Sequence, residues 1–202
     1  MAETNKKIID FFMKWEGKLS RDPKDSASKY PNPLKHDGQY GWHTNMGITY
    51  ATWTKFKGKK ANRAFFEMTH EDVVEIFEKG YWLPSKCDKI DSQAIGVCLV
   101  SWAWGSGSYG AATQLQRMLL KDGHKIGAVD GIIGKKTLKA VNSYDEVELF
   151  DLMVKTREAF FRYISNYNNA RTQSQRTRFS NNARFLNGWL NRLRNFNEKF
   201  RP

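Results

Sequence analysis

The chain has 202 residues, 40% of them hydrophobic and 14% aromatic, enough to build a core and fold unaided as one domain or two small ones. Its formal charge of +12 and pI near 9.7 draw it to anionic surfaces, of which nucleic acid, acidic glycopolymers and anionic membranes are the classes. Two cysteines, Cys87 and Cys98, are too few for a disulfide framework or a clustered thiolate metal site, and no run approaches the roughly 18 apolar residues of a membrane-spanning helix.

The first residues are Met-Ala-Glu-Thr-Asn-Lys-Lys and lack the apolar core of a secretory signal, so the protein is expected to be made in the cytoplasm. From Thr4 to Trp15 the residues Ile8, Ile9, Phe12, Met13 and Trp15 recur at helical spacing. They predict a helix that Thr4 or Asn5 can cap and Gly17 can stop. Glu16 ends that helix on the face of Ile9, Phe12 and Met13. A carboxyl closing an apolar stripe is partly desolvated, which favours the protonated form that a general acid requires.

Residues 18 to 47 are rich in Pro, Gly, Asp, Asn, Ser and Lys and predict a long loop, with Asp37-Gly38 suited to a small hairpin. Tyr30, Tyr40, Trp42 and His43 make it a functional loop rather than a disordered linker. Helix resumes at 49 to 56 and again after Thr69, where Asp72 completes a capping box. The segment Ala94 to Trp104 is apolar nearly all round and predicts a buried central helix with Cys98 inside it, and both Cys87 and Cys98 are expected to be free, buried thiols. Gly105-Ser106-Gly107 ends it and Ser108 can cap the next helix. A later helix begins near Ser143, which forms a second box with Glu146. The polar stretch Asn166 to Thr177 breaks the helical pattern before a final stripe of Phe185, Trp189, Leu193, Phe196 and Phe200. The fold class that follows is mainly α, with room for a small hairpin in the 18 to 47 loop and no repeat at a fixed period.

Glu16, then Asp22 and Asp25, then His43, Thr44 and Thr49 together offer an acid at a helix end, further carboxyls in the next loop, and hydroxyls where helix resumes. Glycoside hydrolysis needs such a set: an acid for the leaving oxygen, a second carboxylate or held water opposite it, and polar groups for the sugar. The spacing alone fits equally a glutamate that ends a surface helix and two aspartates that form turns. For sugar stacking the candidates are Trp42, Tyr50, Trp53, Tyr81 and Trp82, with Trp42 foremost because a loop tryptophan has less core to join. The four histidines show no metal-ligand spacing, so neither a metal nor another cofactor is expected.

This stretch resembles the glycoside hydrolase family 108 muramidases, whose pattern runs Glu-Gly-Gly, Asn-Asp-Pro-x-Asp, then Thr-Asn-x-Gly-Ile-Thr. Glu16, Gly17, Asp22, Pro23, Asp25, Thr44, Asn45, Gly47, Ile48 and Thr49 match it. The resemblance implies a lysozyme-like fold, cleavage of peptidoglycan beside N-acetylmuramic acid, and Glu16 as the catalytic glutamate. Members include phage endolysins and proteins once described as secretion activators. Lys18 and Arg21 depart from the pattern, and an insertion separates Asp25 from Thr44. The second carboxylate is therefore Asp25, the matching position, or Asp37, which the longer loop supplies.

Leu115-Gln116, Asp130-Gly131-Ile132-Ile133-Gly134 and Thr137, with Gly188-Trp189-Leu190-Asn191-Arg192, resemble the peptidoglycan-binding-like region that follows in this family. Ser101 and Gly105 stand where the family commonly has an Asp and an Asn. The expected organisation is a catalytic region over 1 to 104 and a peptidoglycan-binding-like region over 105 to 202, packed as one unit. The substrate contacts expected are Asp22, Asp37, Trp42, His43, Thr44, Thr49 and Trp82.

From Arg171 to Pro202 eight Arg or Lys stand against one acid, Glu198, a basic surface suited to the anionic cell envelope. No Gly-rich phosphate loop, zinc knuckle or RNA-recognition signature supports nucleic acid as the partner. A noncatalytic wall-binding module of the same fold is the alternative, which the departures at Lys18, Arg21, Ser101 and Gly105 would favour. With no signal peptide, action at the periplasm or cell wall requires a holin-like or other export route.

Overall fold

Ile8, Ile9, Phe11 and Phe12 are all buried on one short helix, α1 (Lys6–Trp15), as the apolar spacing predicts. The computed structural model describes residues 2–4, 6–15, 19–58 and 61–202. Glu16, together with the expected cap Asn5 and stop Gly17, lies outside the described residues. No described helix is long and apolar enough to cross a membrane.

The chain divides into two compact units, one of Asn5–Glu78 and one of Met1–Thr4 with Lys79–Pro202. In the first, α1 is followed by a 3-10 turn (Ser26–Lys29), a two-stranded antiparallel hairpin of β1 (Thr44–Asn45) and β2 (Ile48–Thr49), then α2 (Tyr50–Lys57) and α3 (His70–Phe77). Its core joins Phe12 to Phe77 at 5.2 Å between rings, and Tyr50 and Trp53 edge-on to Phe65. The box at α3 forms as expected: Asp72 N–H donates to the Thr69 hydroxyl, and Thr69 N–H to the Asp72 carboxylate.

The second unit is built around α4 (Gln93–Ser106), buried from Ile95 through Ala103, with Ser92 accepting from Ile95 N–H at its start. Around it lie α5 (Ser108–Lys121), α6 (Lys135–Asn142), α7 (Glu146–Ile164), α8 (Gln173–Ala183) and α9 (Leu186–Phe200). Phe150 of α7 stacks on Phe196 of α9 at 5.9 Å and 8°. Each such buried ring stabilises the unit by about 1.5–3 kcal/mol before entropy is subtracted. Cys87 and Cys98 are both free and buried, as expected.

Three local expectations are corrected. Ser108 is the first residue of α5 and does not cap it; Gly107, at φ 75°, makes the corner. Asp145, not Ser143, caps α7 by accepting from Glu148 N–H, and Ser143 closes α6 instead. The polar stretch from Asn166 holds a 3-10 turn (Tyr167–Asn169) and then α8, which starts with a capping box of Thr172 and Gln175. Within α8 Phe179 is the buried residue, so its helix is carried by the cap rather than by an apolar stripe.

Candidate functional site

The acidic segment after α1 is fastened to the β1–β2 hairpin by main-chain bonds. Ser20 N–H donates to Thr44 O at 2.8 Å, and His43 N–H donates to Ser20 O at 3.0 Å. The chain then turns twice on its own aspartates. Asp22 Oδ1 accepts from Lys24 N–H, and Asp25 Oδ1 accepts from Ala27 N–H, both at 2.9 Å. These are the local bonds by which Asp competes with regular structure, and the second caps the turn Ser26–Lys29.

His43 locks this arrangement. It is fully buried, with Nε2 3.1 Å from Asp22 O and Nδ1 2.9 Å from the Thr44 hydroxyl. A carbonyl only accepts, so Nε2 carries the proton, and in the neutral ring Nδ1 accepts from Thr44. Thr44 pairs with Thr49 across the hairpin, whose turn, Met46-Gly47, has positive φ at both residues. The Thr49 hydroxyl caps α2 by accepting from Thr52 N–H at 3.2 Å.

Asp37 and Gly38, at φ 48° and 74°, form a second tight turn that pairs His36 with Gln39. Trp42 closes it: its indole N–H is shared between the carbonyls of His36 and Gln39, each at 3.0 Å. His36 stacks on Phe66 at 4.6 Å, and the Arg21 guanidinium lies 5.6 Å from the Trp42 ring. Buried Asn32 ties the base of this loop, donating to Asn62 O at 2.7 Å, while Asn45 donates to Phe65 O at 2.7 Å.

Asp22, Asp25, His43, Thr44 and Thr49 thus form one pinned assembly, and Asp37 and Trp42 share the neighbouring turn. Two of the expected substrate contacts are buried. His43 has no exposed surface and acts as an internal clamp, since both ring nitrogens are engaged. Trp82 is 2% exposed, in the core of the other unit near Gly96. The exposed loop aromatics are instead Tyr30, 68% accessible, and Tyr40, 61% accessible, with the Lys35 ammonium 4.9 Å from the Tyr40 ring. Both lie beside Pro or Gly in the sequence, at turns that keep rings out of the core.

The second unit carries its own signature. Gln116 is buried at the inner face of α5 and stitches the Asp130-Gly131 turn: its amide donates to Asp130 Oδ1 and Ile132 O, and accepts from Gly131 N–H. The Gln116 amide and then the Ile132 N–H hold the Asp130 carboxyl below its usual range. Gly131 sits at φ 72°, where a Cβ would lie 2.4 Å from the Tyr109 ring, so the turn requires glycine.

The sequence profile described as Glycosyl hydrolase 108 matches residues 9–107, and that described as "Predicted Peptidoglycan domain" matches residues 110–194. With a mainly α fold these define a class: a lysozyme-like peptidoglycan hydrolase, a glycosidase region followed by a peptidoglycan-binding one. The chain belongs to the glycosyl hydrolase 108 family. Among solved structures it is similar to SagA of Brucella abortus, at 22% identity over 96% of this chain and 91% of that one, with a TM-score of 0.69, a likeness of fold. No curated protein sequence matches it significantly.

Proposed function

We propose that the enzyme is an N-acetylmuramidase that cuts the bond between N-acetylmuramic acid and N-acetylglucosamine, with Glu16 as general acid and Asp25 as second carboxylate. The observation that carries this reading is the fastening of the Asp22–Asp25 segment to the β1–β2 hairpin through Ser20 and His43. It makes one preorganised unit of the motif residues that follow Glu16 in the matched region. Glu16 protonates the glycosidic oxygen as the bond breaks, while Asp25 stabilises the positive charge on the sugar or orients the attacking water. Tyr30 and Tyr40 offer exposed ring faces to sugars, with hydroxyls that remain in water.

The basic surface of the C-terminal helices serves the anionic cell envelope rather than nucleic acid, and raises the rate of encounter with the wall. The enzyme acts at the periplasm or cell wall, reached by a holin-like or other export route.

The test is release of reducing muramic acid ends from purified sacculi by the native enzyme beside Glu16→Gln, with binding to sacculi followed in parallel. Native release with a variant that binds but does not cut supports the assignment. If both proteins cut equally, Glu16 is not the acid. If neither cuts and both bind, a wall-binding role without this cleavage replaces the proposed reaction.

A further inference from the structure

Among the described residues of the larger unit, the two large apolar side chains most open to solvent stand beside each other. Tyr109, in the first turn of α5, is 70% accessible, and Ile132, in the turn before α6, is 66% accessible. Gly131 joins them. A Cβ there would fall 2.4 Å from Cδ2 and Cε2 of Tyr109, so the ring lies where only glycine leaves room. Single exposed apolar residues are ordinary on a protein surface, whereas a ring and a branched chain held side by side mark a contact surface.

The patch is also fixed before any partner arrives. Buried Gln116 holds the turn through Asp130, Gly131 and Ile132, and the Thr113 hydroxyl donates to Tyr109 O at 2.8 Å. Asp130 Oδ1 accepts from the Gln116 amide at 2.8 Å and from Ile132 N–H at 2.9 Å, and the residue is exposed. Little main-chain ordering therefore remains to oppose binding.

The neighbouring groups narrow the partner. An ionised carboxylate only accepts hydrogen bonds, so it repels an anion and would be desolvated without compensation by a wholly apolar partner. A cation would approach a chain of net charge +12 against its field. A neutral ring with one C–H face and several O–H or N–H donors suits the aromatic face, the aliphatic chain and the acceptor together. A pyranose bearing an N-acetyl group has that form.

We propose that Tyr109, Ile132 and Asp130 form a saccharide-binding patch, and that its occupant is an N-acetylhexosamine of the peptidoglycan glycan. The patch stands on its own geometry; the choice of glycan rests on the peptidoglycan reading above. It holds the enzyme on a strand through contacts that salt does not screen, in contrast to the basic surface of the C-terminal helices.

The experiment measures binding of the whole chain to purified sacculi and to glycan strands stripped of their peptide stems, at low salt and at about 0.5 M salt. Binding at high salt should persist on both. It should weaken about tenfold in Tyr109→Ala and stay within about twofold in Tyr109→Phe, which keeps the ring. Asp130→Asn retains Oδ1 for Gln116 and Ile132 and should weaken it about threefold. Ile132→Ser should do the same with Tm unchanged, which keeps the test decisive if Tyr109→Ala folds poorly. No binding at high salt, or equal binding by the native protein and the Tyr109→Ala and Ile132→Ser variants, overturns the patch. Loss of high-salt binding when the stems are removed overturns the glycan assignment. Release of reducing ends is measured separately, so a protein whose binding falls in these variants but which cuts nothing counts against the muramidase reading and not against this patch.

Discussion

The imidazole of His43 holds the main chain of Asp22: its buried Nε2 lies 3.1 Å from the Asp22 carbonyl while Nδ1 engages the Thr44 hydroxyl. One side chain thereby couples the acidic turn to the hairpin. Replacing it removes two bonds from a buried site and leaves a cavity. His43→Ala should lower unfolding free energy by about 2–4 kcal/mol in urea titration. Wall cleavage should fall further than the folded fraction does, because Asp22 and Asp25 lose their anchor. Activity that merely tracks the folded fraction would reduce His43 to a structural part.

The two candidate second carboxylates occupy unlike settings. Asp25 is half-buried with one oxygen on Ala27 N–H, whereas the Asp37 side chain is 80% exposed at the tip of a left-handed turn. Asn preserves the first hydrogen bond and tolerates the second backbone. Asp25→Asn should lower kcat by about 10²–10⁴ with folding intact, and Asp37→Asn should leave it nearly unchanged. Muropeptide release by the two variants decides; the reverse pattern would give the role to Asp37.

Burial raises the thiols of Cys87 and Cys98, the first with help from the Asp88 charge and the second to about 12. Both should resist a disulfide-exchange reagent in the native protein and react on unfolding. Because the folded values are raised, the stability they contribute is complete below the ordinary thiol range and is lost as pH rises above it. The slope should reach about 1.4 kcal/mol per pH unit per thiol. Urea midpoints between pH 7 and 11 measure this, and Cys98→Ala should make the fall shallower.

Gly96 and Gly188 are both helical but differ in what surrounds them. A Cβ at Gly96 would stand 2.7 Å from that of Ala2, which is itself fixed by its N–H bond to Ile90 O. Nothing lies within 4 Å at Gly188. Gly96→Ala should destabilise by about 1–3 kcal/mol through overpacking, and Gly188→Ala should stabilise by about 0.5–1 kcal/mol through helix propensity. Thermal unfolding of the pair checks both signs.

Elements whose cause is local could be read from neighbouring residues. The Thr69–Asp72 box, the Asp37-Gly38 hairpin, and the all-round apolar run that becomes α4 each depend on chemistry within a few positions. Helix α8 was equally local, through Thr172 and Gln175, but its single buried residue, Phe179, leaves no apolar period to signal it. The box expected at Ser143 failed because Asp145 offers a cap two residues later, and the chain between them belongs to the end of α6.

The sequence by itself determined the mainly helical class, the family, and the acidic and hydroxyl residues of the motif, because caps, turns and residue types are written in short stretches. Only the tertiary structure decided which of those side chains face inward. Trp42 and His43 look like exposed loop residues until His36, Asn32 and Ser20 close around them, and Trp82 until it enters a core beside Gly96. Arg157 reads as one of many basic residues until α4 brings it Ser101, 56 positions away. Burial and pairing are set by partners distant along the chain, so a pattern of neighbours cannot encode them.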